Sequence, residues 1–104
     1  MSMSEEPAPK VNDLLAALEA NILYDVIQWL NNMAEDFWLD VDNVRERAVV
    51  VEWRDNEDYE KVHVWMILDT GLVLEAVVHY TVKDGEKLAR YVEIDYRHMA
   101  ACTC

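Results

Sequence analysis

An α+β fold, with an N-terminal helix packed on a four-stranded antiparallel β-meander, is predicted by three features of the sequence. Apolar residues recur every three or four positions from Leu14 to Trp38, and after Ala48 the period changes to two. Three turn sequences, Asp55-Asn56-Glu57-Asp58, Asp69-Thr70-Gly71 and Lys83-Asp84-Gly85, then cut the second half into strand-length pieces. At 104 residues the chain is expected to form one domain. Residues 1–10, polar with two prolines, read as a flexible leader, 11–98 as the domain and 99–104 as a flexible tail.

Asn12 can cap the helix, and Asp13 suits its positive end. Leu15, Leu18, Ile22, Val26, Trp29, Met33 and Phe37 make one apolar row, and Leu14, Leu23, Ile27, Leu30 and Trp38 make a second. A helix apolar over so much of its girth must be covered on more than one side. It therefore lies between the sheet and another subunit, or breaks in two near Asn21 or Asn31-Asn32. Asp40 to Arg47 is a charged connector able to hold a short helix capped at Asp42 or Asn43. Strands are expected over Ala48 to Arg54, Tyr59 to Leu68, Leu72 to Val82 and Lys87 to His98. In the second of these Val62, Val64, Met66 and Leu68 share one face.

With Gly85 left-handed in a three-residue loop, Val82 pairs with Glu86. Leu74 then opposes Ile94, Tyr80 opposes Leu88, and Glu75 faces Glu93, a like-charge pair that a sheet disfavours.

The only cysteines, Cys102 and Cys104, end the chain, which argues for no disulfide framework and for a reducing cytoplasm. No apolar run reaches the roughly 18 residues of a membrane span. Four Trp and five Tyr in a chain that is 53% hydrophobic suggest apolar surface to spare, and hence a homodimer.

Asp and Glu outnumber Lys and Arg by 21 to 9, leaving −12 on this apolar chain. Such a charge repels nucleic acid and anionic membranes and attracts basic surfaces. Ten of the acids fall between Glu35 and Glu60, against three arginines. They concentrate at the helix end, the connector and the first β-turn, which are expected to be neighbours in space. Acidic side chains two apart on a strand stand about 6.5–7 Å apart, comparable with successive phosphates, so the patch suits a groove that otherwise holds DNA or RNA. Solubility or adaptation to salt would produce the same acidity without a partner. The candidate contact residues are Glu35, Asp36, Asp40, Asp42, Asp55, Glu57 and Asp58, with Trp53 and Tyr59 as aromatic anchors.

Catalysis has little to stand on. Ser2 and Ser4 lie in the leader, the cysteines lie in the tail, and both glycines sit in turns. No cofactor is expected. His98, Cys102 and Cys104 match no structural zinc spacing. His79 with Glu75 and Glu93 could form an acid–base or cation-binding set on the outer sheet face. A small hydrolase built on those three is thus one alternative, though a solvated sheet face has the same composition.

The segment Tyr80-Thr81-Val82-Lys83-Asp84-Gly85-Glu86-Lys87, followed by Glu93-Ile94-Asp95-Tyr96-Arg97, resembles the terminal hairpin of α+β anti-CRISPR proteins from archaeal rod-shaped viruses. In size, acidity and layout the chain is similar to small viral anti-defence proteins, nucleic-acid mimics among them. That resemblance implies a non-enzymatic inhibitor in the host cytoplasm, docked on a nuclease or surveillance complex, and transfers no functional residues. The expected partner is a basic protein or nucleoprotein complex. An acidic chaperone or immunity-type protein shielding a basic effector or toxin is the second expectation.

Overall fold

The structure, a computed structural model, describes residues 9–35 and 37–98. Asp36, the tail expected over 99–104 and most of the expected leader lie outside the described residues. Three helices, α1 (Val11–Ala20), α2 (Leu23–Met33) and α3 (Val41–Arg47), precede four strands, β1 (Ala48–Asn56), β2 (Lys61–Leu68), β3 (Leu72–Lys83) and β4 (Glu86–His98). The strands form one antiparallel sheet in the order β1-β2-β3-β4, so β1 and β4 are its edges.

The long apolar stretch breaks at Asn21, the first of the two expected places. Asn21 takes a left-handed conformation (φ 59°), and its N–H and that of Ile22 close on the carbonyls of Leu18 and Ala17. The break resets the helical phase. Helix α1 buries Val11, Leu14, Ala17 and Leu18, whereas α2 buries Val26, Ile27, Leu30 and Asn31. Ile22, at the break itself, and Trp38, in the non-helical segment after α2, were both placed on apolar rows by the sequence and are exposed. Asn12 caps nothing, because α1 starts at Val11 and is preceded by Lys10. The connector helix is capped by Asp40, whose Oδ1 accepts from the Asn43 N–H at 3.2 Å, rather than by Asp42 or Asn43.

Buried Asn31 anchors the connector. Its Nδ2 donates to the Leu39 carbonyl and its Oδ1 accepts from the Leu39 N–H, both at 2.8 Å. This pairing lets Leu39 enter the core while its backbone stays satisfied.

The helices cover one sheet face, where Val62, Val64, Met66 and Leu68 of β2 join Leu74, Ala76, Val78 and Tyr80 of β3 in a single core. Strand β1 runs two residues beyond its expected end, and a 3₁₀ turn, Glu57–Tyr59, follows before Glu60 reverses the chain at φ 55°.

The last hairpin corrects the expected register. Its loop is the two-residue Asp84-Gly85, both at positive φ (54° and 80°), so Lys83 pairs with Glu86 and Val82 with Lys87. A bulge at Arg90 then shifts the ladder once more: Tyr80 opposes Ala89, yet His79 opposes Tyr91. Leu74 consequently faces Tyr96 and Ala76 faces Ile94. Glu75 lies across from Asp95 and Glu93 across from Val77, so the like-charge pair exists with a different second member.

Candidate functional site

The candidate acids are not assembled into one patch. Asp40 and Asp42 belong to the N-terminal end of α3, which feeds into β1 at Ala48. Eight strand steps of about 3.3 Å, roughly 26 Å, then separate Ala48 from the turn carrying Glu57 and Asp58. Glu35 is elsewhere again, lining a groove against β4 at the opposite edge of the sheet. Adjacency in sequence suggested one cluster, and the length of β1 divides it.

Asp55 and Trp53 turn inward. Both alternate onto the helix-covered face of β1, opposite buried Val62 and Val64, and Trp53 packs against the core. The Asp55 carboxylate, only 15% exposed, accepts from the Tyr80 hydroxyl at 2.8 Å through Oδ1 and from the Lys87 ammonium through Oδ2. Lys87 also donates to Glu57 at 2.9 Å. Burial, then the hydrogen bond to Asp55, pushes the Tyr80 hydroxyl up to about 12. The Lys87 ammonium is held charged beyond its usual range, chiefly by its hydrogen bond to Asp55. This network ties the β1–β2 turn to the β3–β4 hairpin, so Asp55 is neutralised and structural while Asp58 and Glu57 remain exposed. Tyr59 is 71% exposed, with the Lys61 ammonium 5.8 Å from its ring centroid. The sequence held a clue to Lys87: an Asp-Gly pair favours a two-residue hairpin loop, which turns Lys87 to the face of Tyr80.

Among the described residues no helix covers the other sheet face. The proposed trio of Glu75, His79 and Glu93 separates there into two pairs. Glu75 accepts from the Trp65 Nε1–H at 3.2 Å and lies 3.9 Å from His63 Nδ1, which is enclosed without a hydrogen bond. His79 Nε2 lies 3.0 Å from Glu93 Oε1, and its ring stacks on Tyr91 with centroids 4.3 Å apart. Each histidine thus rests beside one carboxylate and one aromatic ring. Among the described residues no three His, Cys, Asp or Glu side chains are grouped to hold a metal ion. Cys102 and Cys104, the remaining metal candidates with His98, lie outside the described residues.

One concavity was not foreseen. A groove of about 430 Å³ runs between Tyr91–Asp95 of β4 and the segment after α2. Met33, Phe37, Val92 and Ile94 supply its apolar part, and Glu35, Glu93 and Asp95 its charge. Phe37 is propped against Tyr96, with ring centroids 5.1 Å apart. Only the return of the 33–37 segment to β4 creates this groove, and periodicity carries no signal of that return.

Searches of protein-family models, curated proteins and solved structures find no match for this chain. Among the described residues no helix is long and apolar enough to cross a membrane.

Proposed function

We propose that this chain is a non-enzymatic binding protein that occupies a basic, nucleic-acid-binding surface of another protein or nucleoprotein complex, as a viral or mobile-element inhibitor of a host defence complex would. The observation that carries the reading is how the few cations are spent. Lys10 pairs with Glu86, Arg45 with Asp42, Arg47 with Asp69, and Lys87 with Asp55 and Glu57. These pairs engage four of the nine cations, and among the described residues 18 acids stand against those nine, so a net −9 rests on the folded domain, where it steers basic partners from a distance.

Within the expected contact set the exposed members are Glu35, Asp40, Asp42, Glu57, Asp58 and Tyr59. The turn with Glu57, Asp58 and Tyr59 is the strongest contact point, because it joins exposed carboxylates to an exposed ring. Reversing Asp58 to Lys should weaken partner binding and leave the unfolding midpoint in place, whereas reversing Glu57 as well breaks its pair with Lys87 and should lower the midpoint along with the affinity. Unchanged affinity would remove this turn from the interface.

The separation of the acids favours a second reading, an acidic chaperone or immunity-type protein. Acids spread over α3, the β1–β2 turn and the β4 groove suit the broad surface of a basic protein better than the narrow track that binds one row of phosphates. Competition distinguishes the two, since only a nucleic-acid mimic is displaced from its partner by DNA or RNA.

A homodimer would form through β1, an edge strand of the sheet. Antiparallel pairing of two copies about Trp53 would set Glu52 of each protomer opposite Arg54 of the other.

A further inference from the structure

We infer that the groove along the outer edge of β4 is a strand-addition site for an extended basic segment of a partner protein. This rests on the reading above, that the partner is basic, and adds where and in what conformation it is held. Strand β4 ends the sheet, so alternate residues from Tyr91 to Tyr96 direct their N–H and C=O groups away from β3. The same edge already accepts a chain. The Ala89 N–H donates to the Pro9 carbonyl at 2.9 Å, and Lys10 bridges Leu88 in antiparallel sense. Among the described residues that contact reaches as far as Ala89, and the groove begins just past the Arg90 bulge.

Both faces of the strand contribute to the groove, Val92 and Ile94 from the helix side and Glu93 and Asp95 from the other, so it lies along the strand's edge. An added strand would set alternate apolar side chains against Met33, Phe37, Val92 and Ile94, and the intervening ones beside Glu93 and Asp95. Among the described residues no Lys or Arg lines the groove. The occupant favoured by charge is therefore a segment alternating Lys or Arg with apolar residues. The chain's own leader is disfavoured, because Glu5 and Glu6 repeat the sign of the groove.

Asp95 supplies an independent argument. It stands directly across from Glu75, a pairing that costs the sheet stability. A basic residue at 95 would serve the fold better, whereas an acid there serves a basic strand arriving from outside.

The test uses the intact chain and a fluorescein-labelled peptide of four Lys-Val repeats, followed by anisotropy and by backbone amide NMR. The expected result is salt-sensitive binding, with the largest shifts at Tyr91–Tyr96 and at Met33–Phe37. Methylating alternate peptide amides, which removes the main-chain donors, should abolish it. Asp95→Lys should weaken binding about tenfold or more while leaving the unfolding midpoint unchanged or raised, a combination that a merely structural role for Asp95 would not give. Glu35→Lys should act in the same direction. Binding with shifts confined to the Glu57–Tyr59 turn would overturn the groove and leave the charge-led function standing. Absence of binding by both this peptide and polylysine would remove the two together. Cross-strand NOEs from residues 1–8 to Tyr91–Tyr96 in the free chain would assign the groove to the leader and overturn the proposal.

Discussion

Replacing Asp55 with Ala should damage the fold rather than a binding surface, and the cost follows from its two partners. Tyr80 is 1% exposed, so loss of its acceptor leaves a buried hydroxyl without a hydrogen bond, about 2 kcal/mol. The Lys87 side chain, 19% exposed, keeps Glu57 and loses its better-shielded carboxylate, about 1 kcal/mol after solvent screening. The sum of about 3 kcal/mol corresponds to a fall of roughly 12–24 °C in Tm for a domain near this size. Urea unfolding followed by tryptophan fluorescence, with a thermal melt alongside, measures it. Tyr80→Phe should cost about 1 kcal/mol, and the double variant less than the two singles added, because they share one hydrogen bond. An Asp55→Ala variant within about 0.5 kcal/mol of the parent, with its denaturant slope unchanged, would refute the argument and return Asp55 to the surface acids.

Three further outcomes follow from the same geometry. The Tyr80 hydroxyl is raised from 10.0 to about 12, so the fold favours its protonated form; that stabilisation is complete below pH 10 and is lost as pH rises toward 12. Alkaline unfolding should show this loss, Tyr80→Phe should remove the tyrosine's share, and an identical alkaline limb in that variant would contradict it. Asn31→Ala should cost about 2–4 kcal/mol by stranding the Leu39 N–H and C=O; a loss under about 1 kcal/mol in urea would show that water replaces the amide. Sedimentation should find a dimer that Arg54→Glu dissociates and that the combined Glu52→Arg, Arg54→Glu exchange restores; a parent chain that stays monomeric at every concentration would remove β1 as the interface.

The fold was legible where local chemistry decides it. The alternation of Val62, Val64, Met66 and Leu68 marked β2 and its buried face, and Asn21 was one of two places where the sequence allowed the helix to break. Register was less legible, because it depends on details too small for periodicity. A loop one residue shorter than expected, together with the extra residue Arg90, moved Glu75 from Glu93 to Asp95. The candidate site was legible as composition and not as geometry. Net charge comes from counting, but whether Asp40 and Asp58 are neighbours depends on the course of β1 between them. Whether Asp55 faces solvent depends on Lys87, 32 residues away in sequence. The β4 groove is a tertiary product of Phe37 reaching Tyr96, for which no local pattern exists.

Capture from host lysate on the immobilised chain, at low and then rising salt, tests the central claim most directly, with a Glu57→Lys, Asp58→Lys chain as the matched column. Charge-led recognition predicts basic nucleic-acid-binding proteins that are held at low salt, released as salt rises, displaced by added DNA or RNA, and depleted on the reversed column. Partners that resist high salt, or that bind the reversed chain equally well, would contradict it and place recognition on an apolar surface.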